Sequence, residues 1–143
     1  MLEWIIPIVG LVLLCFIGWF LDKLQIRKIA KLLVSRESLS SEEFGVRFFP
    51  ESPSRAAIGT TVHRLLATET PLDVSRLSAD DDLARMRVFA FDSQSDVAFL
   101  LKLEGTFKVK FKQEDTGHLH SIRDIVLYIE RRQGASETVD KSL

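Results

Sequence analysis

Asp92 and Ser93 are the residues of this chain best placed for chemistry, because they directly precede an apolar pattern of helical spacing. A serine hydroxyl at the start of a helix can be esterified by a phosphate group. The free N–H groups and the dipole of the helix N-terminus would stabilise the added negative charge. Aspartate and serine are also common helix caps. Two hypotheses therefore stand for this position, a modification site and a simple helix cap.

Other clusters of polar residues give little support for an enzyme. His118 and His120 share one side of an extended segment, but no Cys or third His is placed to complete a metal site. The run Asp80-Asp81-Asp82 lacks the ordered oxygen pattern and the glycine of a calcium loop, which favours a solvated loop. No Gly-rich phosphate loop and no nucleophile elbow occurs. The sequence thus predicts a protein that is not an enzyme and has no metal site.

Amphipathic helices are the elements that must position the Asp92-Ser93 pair. Apolar residues recur at helical spacing in three segments, and a capping box at Ser40 and Glu43 marks the start of a short additional helix. The predicted helices cover about 41–48, 54–69, 93–107 and 121–132. Between the second and third of these, an ordered loop is predicted to be pinned by Leu72, Val74, Leu77 and Leu83.

Each predicted helix has an apolar face that should form the core. The predicted core residues are Ile58, Val62, Leu65 and Leu66; then Val97, Leu100, Leu101 and Phe107, with Phe99 and Leu103 widening the face; and finally Ile122, Ile125, Val126 and Ile129. Phe44 and Phe48 of the short helix and Phe49 directly after it should pack onto this domain. The polar tail, residues 133–143, is predicted to be disordered.

The N-terminal segment predicts a transmembrane helix. No residue from Trp4 to Leu21 is charged, and 18 residues of helix cover about 27 Å, close to the hydrocarbon thickness of a bilayer. A cleaved signal peptide would need positive charge before the apolar run and a small-residue cleavage site after it, and neither is present. We therefore expect residues 4–21 to contact the lipid bilayer, within an anchor that covers residues 1–22.

The distribution of charge orients this anchor. Five basic residues and no acidic residue lie between Lys23 and Arg36, whereas Glu37 to Leu143 contain 14 basic and 18 acidic residues. The positive-inside rule then predicts a single-pass protein with a cytoplasmic C-terminal domain. Residues 23–53 are predicted to form a basic juxtamembrane helix, which continues the span, and a linker that contains the short helix. The mildly acidic domain argues against a nucleic acid partner.

The order of these helices and the residues around Ser93 resemble the acyl carrier protein family, over about Ile58 to Arg131. That family opens its second helix with Asp-Ser-Leu, followed by Val, aliphatic residues, Leu-Glu and Phe. Here Asp92-Ser93, Val97, Leu103-Glu104 and Phe107 stand at the corresponding spacings, and Ser121-Ile122 with Tyr128-Ile129 resemble the closing helix. The resemblance implies an all-α fold, an acyl-carrier-like bundle of three or four helices behind one transmembrane helix.

The same resemblance implies a function. Ser93 would carry a 4'-phosphopantetheine arm, and a phosphopantetheinyl transferase would attach it with the help of Asp92. The arm would present acyl groups to membrane-associated enzymes of lipid or fatty acid metabolism. Gln94, Asp96, Val97 and Glu104 would contact those partners. The chain departs from the family at Gln94, where Leu is usual, and at Phe89-Ala90-Phe91, where Gly usually precedes the Asp-Ser pair. The alternative is a carrier-fold adaptor without the arm that binds proteins at the membrane.

Overall fold

The computed structural model describes residues 2–70, 72–86, 88 and 94–142 of the chain. The described residues form six helices and no strand, which confirms the all-α prediction. The helices are α1 (Leu2–Val34), α2 (Ser41–Phe48), α3 (Pro53–Glu69), α4 (Gln94–Phe107), α5 (Gln113–Thr116) and α6 (Ile122–Asp140). The chain divides into two compact units, residues 1–36 and 37–143.

The first unit consists mainly of α1. This helix runs without a break from the apolar segment into the basic one, as the sequence predicted, and the Lys23 ammonium lies 4.0 Å from the centre of the Trp19 ring. Among the described residues, it is the helix long and apolar enough to cross a membrane, and none of its apolar stretch is buried.

The second unit contains its own core, because every buried apolar side chain of the described residues lies between Phe44 and Ile129. The helix α2 belongs to this unit rather than to a linker. It begins with the predicted capping box, in which the Ser40 hydroxyl accepts from the Glu43 N–H and the Glu43 carboxylate accepts from the Ser40 N–H. Phe44 and Phe49 are buried, as predicted for the aromatic residues of this segment.

Two glycines allow α2 and the residue after it to approach α3 closely. A β-carbon on Gly45 would overlap the hydroxyl oxygen of Thr60 and the carbonyl oxygen of Ala56. A β-carbon on Gly59 would lie 2.7 Å from the Phe49 ring. A side chain at Gly45 would push α2 away from the backbone of α3, and one at Gly59 would displace the Phe49 ring, so the close contact depends on both missing side chains.

The loop after α3 is ordered by its apolar residues and by the start of α6. Val74, Leu77 and Leu83 are buried, as predicted, whereas Leu72 is exposed. The Leu83 N–H donates to the His120 carbonyl oxygen at 2.9 Å, and the Arg123 N–H donates to the Ala79 carbonyl oxygen at 2.9 Å. These two backbone hydrogen bonds join the loop to His120, just before α6, and to Arg123 in its first turn.

The α4 core face differs from the predicted one. Val97 and Leu101 were expected in the core, but they are 52% and 60% exposed, while Phe99 and Leu103 are fully enclosed. The reason is that apolar residues surround most of this helix, so their spacing does not single out one face. Phe99, and Leu103 one turn later, pack against the rest of the domain instead of Val97 and Leu101.

The last helix is longer than its apolar pattern. Its predicted core residues Ile122, Ile125, Val126 and Ile129 are all buried. Beyond Arg132, where the sequence predicted a disordered tail, α6 continues to Asp140. This extension is mostly exposed; at its start the Gln133 amide donates to the Phe107 carbonyl oxygen at 3.3 Å, and further along the Ser136 and Thr138 hydroxyls donate to carbonyl oxygens one turn earlier.

Candidate functional site

The helix α4 carries the candidate site. Asp92 and Ser93 lie outside the described residues, and α4 begins at the next residue, Gln94. Downstream, Phe99 and Leu103 fix the helix in the core of the domain. Lys102 forms an ion pair with Glu69 near the end of α3, which adds a polar contact between the two helices. The helix that follows the candidate serine is therefore held by packing on one side and by this ion pair.

Two of the four predicted partner-binding residues are not available as surface charges. Asp96 is only 8% exposed, so its carboxylate faces the protein rather than a partner. The Glu104 side chain is 14% exposed; it accepts the Phe111 N–H at 2.9 Å and pairs with Lys110 at 3.2 Å. Glu104 thus orders the turn after α4. Neither of the two acidic residues of α4 is therefore a free carboxylate on the surface of this helix.

Val97 is a predicted partner residue whose side chain is exposed, and three neighbours join it; the side chain of Gln94, the fourth predicted partner residue, lies outside the part of the chain that the structure describes. At 100° per residue, Leu101 and Gly105 follow Val97 at intervals of four along one side of the helix, and Ala98 lies beside them. All four are exposed, and open space surrounds the position that a β-carbon on Gly105 would take. The apolar pattern predicted Leu101 in the core; the i, i+4, i+8 spacing from Val97 was the signal for this second side of the helix.

The acidic loop ahead of α4 has structural partners. Asp80 forms a bidentate ion pair with Arg123, at 2.6 and 3.2 Å, and this hydrogen bonding holds the pKa of the Asp80 carboxyl below its usual value. Asp81 accepts the Ser78 N–H, and Asp82 accepts the Ala84 and Arg85 N–H groups. Each carboxylate therefore orders the loop or its connection to α6. The described residues contain no group of three potential metal ligands.

His63 connects three parts of the domain. Its Nε2 lies 3.0 Å from the Val74 carbonyl oxygen, which can only accept, so Nε2 carries the hydrogen. Nδ1 then accepts from the Ser41 hydroxyl at 2.9 Å, and the ring stacks on Phe44 with 4.3 Å between centroids. Burial lowers the pKa of His63, although the bond to Val74 and the charges of Asp73 and Glu42 oppose that shift. The neutral ring is fully hydrogen-bonded and serves the fold.

A cleft of about 440 Å³ lies between α5 and α6. None of its lining residues belongs to α4. Tyr128 is one of its lining residues, and the Tyr128 hydroxyl accepts from the Lys112 N–H at 3.2 Å and from Arg132 Nε at 3.1 Å. The hydroxyl can donate to Asp115 Oδ2 at 3.1 Å, and the ring stacks on Phe111. The polar groups that line this cleft mainly join α5 to α6, which explains their arrangement without a ligand.

Comparison with known proteins finds no match: no family model, no curated protein and no solved structure is similar to this chain.

Proposed function

We propose that this chain is a membrane-tethered acyl-carrier-like protein, which presents acyl or related groups as thioesters on a 4'-phosphopantetheine arm at Ser93. The observation that carries the proposal is the position of α4. A 14-residue helix begins immediately after the Asp92-Ser93 pair, and its inner face is anchored by Phe99 and Leu103. A serine directly before a fixed helix is a suitable point for a transferase to reach.

The residues fit such a group chemically. The phosphodiester of the arm is anionic, and the first turn of a helix has N–H groups without intrahelical partners and the positive end of the helix dipole. Ser93 would hold the arm through its hydroxyl oxygen, and the N–H groups at the start of α4 would offset the added charge. When bound, the arm supplies a thiol that carries acyl groups as thioesters.

The membrane anchor gives the proposal its cellular setting. The helix α1 has the length and composition of a span, and its basic residues all follow the apolar stretch, so we infer that the domain faces the cytoplasm. Tethering would raise the local concentration of the carrier near a membrane-bound enzyme without any new contact.

A fluorescent protein fused after Leu143 should be bright in bacterial cells. Alkaline phosphatase at the same position should be inactive. An active phosphatase would place the domain on the opposite side of the membrane and contradict the inferred topology.

The direct test of the arm is co-expression of the full chain with a broad-specificity phosphopantetheinyl transferase. Wild type should gain the mass of one phosphopantetheine, and Ser93→Ala should not. Gln94→Leu restores the residue usual in the family and should increase the modified fraction if Gln94 only weakens recognition. A known carrier in parallel cultures controls for transferase activity. Unmodified wild type beside a modified control carrier would contradict the proposal.

A second candidate is an adaptor with the same fold and no arm. The observation in its favour is the exposed apolar side of α4, because Val97 and Leu101 could bind a protein whether or not Ser93 is modified. The mass measurement separates the two candidates. If the wild type stays unmodified, Ser93→Ala should leave partner binding unchanged, and the adaptor becomes the preferred function.

A further inference from the structure

We infer that the part of α1 beyond its apolar stretch binds the headgroups of anionic phospholipids in the membrane that α1 crosses. The binding residues are Lys23, Arg27, Lys28 and Lys31, which we call the basic cluster. This inference rests on the membrane tether of the proposed function and is independent of the arm at Ser93. It specifies which lipids surround the anchor.

The basic cluster lies at the depth of the headgroups. Because α1 continues as a helix past its apolar stretch, Lys23 lies about 3 Å beyond Leu21 along the axis, and Arg27 and Lys28 lie about 9 and 10.5 Å beyond it. The headgroup layer is roughly 5–8 Å thick on each side of a bilayer. Side chains of a helix lean towards its N-terminus, which for this helix is the membrane side, so these three cations reach back to the lipid phosphates. Lys31, about 15 Å beyond Leu21, lies within about one Debye length of that layer.

The charges of the basic cluster lack partners within the helix. Helical lysine and arginine residues can pair with an acidic residue three or four positions away. No member of the cluster has an acidic residue at either distance, and the nearest one, Asp22, adjoins Lys23. Arg27, Lys28 and Lys31 are exposed and form no ion pair among the described residues. The cluster therefore presents its charge to anions outside the protein.

The domain of residues 37–143 treats its basic residues differently. Its ion pairs use arginine or lysine side chains of α2, α3, α4 and α6, namely Arg47 with Glu37, Arg64 with Glu42, Lys102 with Glu69 and Arg123 with Asp80. The unpaired cations of α1 thus stand apart from the pattern in the rest of the protein, and the anions nearest to them are lipid phosphates.

The members of the basic cluster also share one side of α1. At 100° per residue all four lie within an arc of about 140°, and Lys23, Arg27 and Lys31 follow one another at intervals of four. Like charges at this spacing repel each other and destabilise a helix. The positive-inside rule requires only an excess of basic residues within about 15–20 residues of a span, at any place on the helix. A surface with many phosphates side by side would offset the repulsion.

The fluorescence of Trp19 can measure the lipid composition beside the basic cluster, because the Lys23 ammonium lies 4.0 Å from the centre of its ring. Trp4, the other tryptophan of the chain, is replaced in a Trp4→Phe background. The full chain is reconstituted in phosphatidylcholine with a minor fraction of phosphatidylglycerol. In parallel samples one or the other lipid carries bromine on its acyl chains, which quenches tryptophan at short range. The ratio of quenching per mole of each brominated lipid gives the preference for the anionic one.

Two variants that lose the same charge are compared with wild type in this background. The cluster variant combines Arg27→Gln, Lys28→Gln and Lys31→Gln. The control variant combines three exposed cations of the other unit, Lys108→Gln, Arg131→Gln and Lys141→Gln. Glutamine has the helix propensity of lysine and arginine, and Lys23 stays in both variants as a signal for topology.

We expect wild type to prefer phosphatidylglycerol by at least about fivefold, the effect of about one basic residue near an anionic surface. The cluster variant should lower this preference by at least about threefold, whereas the control variant should stay within about 1.5-fold of wild type. The preference of wild type should also decrease between about 50 and 500 mM NaCl, because salt screens exposed charges.

Equal quenching by the two brominated lipids in wild type would overturn the inference and leave the basic cluster with a role in topology alone. A preference that the cluster variant keeps, that the control variant loses to the same extent, or that salt does not change would overturn it as well. If neither brominated lipid quenches Trp19, α1 is not in the bilayer, and the tether of the proposed function fails together with this inference. An unmodified Ser93 in the mass measurement rejects the arm and leaves the lipid preference standing.

Discussion

The two faces of α4 provide a matched pair of substitutions, Leu103→Ala and Leu101→Ala. The same atoms are removed from the same helix, two residues apart, but Leu103 is fully buried and Leu101 is 60% exposed. Removing a fully buried leucine side chain costs the lost transfer free energy and leaves a cavity, together about 3 kcal/mol. At Leu101 little apolar area is lost and alanine is the better helix former, so the change should stay within about 0.5 kcal/mol.

Urea unfolding followed by far-ultraviolet circular dichroism can measure both free energies of unfolding. The fragment 37–143 suits this assay, because all the buried apolar side chains of the described residues lie within it. In a domain of this size, about 3 kcal/mol also corresponds to a fall in Tm of roughly 10–20 °C. Equal losses in the two variants, or a larger loss at Leu101, would refute the assigned core face of α4.

Three further substitutions test local features of the domain. Gly45→Ala should destabilise the fragment by about 2 kcal/mol in urea unfolding, because α2 would have to move away from α3; no loss would contradict their close contact. Lys108 follows α4 with a φ of 56°, so Lys108→Gly should raise Tm and stabilise the fragment by about 1 kcal/mol, and a decrease would contradict this backbone conformation. His63 has a lowered pKa in the folded domain, so its contribution is present above the unfolded pKa of about 6.5 and is lost as pH falls below it. Wild type should therefore lose more stability than His63→Gln between pH 7.5 and pH 5, and parallel losses would show that His63 is not the group responsible.

Local signals in the sequence predicted much of the secondary structure. The capping box at Ser40 and Glu43 defined the start of α2, and the spacing from Ile58 to Leu66 defined the inner side of α3. The capping serine Ser121 and the Ile122 to Ile129 pattern did the same for α6. These features depend on residues within two turns of each other, so they can be recognised without knowledge of the tertiary structure.

Features that depend on distant contacts could not be predicted in this way. The orientation of α4 is decided by what Phe99 and Leu103 pack against, and an apolar pattern on most sides of a helix carries no information about that choice. The burial of Asp96 follows from the same rotation. The role of Glu104 depends on a backbone N–H seven residues later, at Phe111, whose position the turn after α4 determines.

Attachment of a group to Ser93 is the central claim, and peptide-level mass spectrometry tests it most directly. The full chain, co-expressed with a phosphopantetheinyl transferase, would be digested and fragmented to locate the added mass. We predict one phosphopantetheine on the peptide that contains Ser93, attached through the serine oxygen. An unmodified Ser93 peptide, in a culture where a known carrier is fully modified, would contradict the claim.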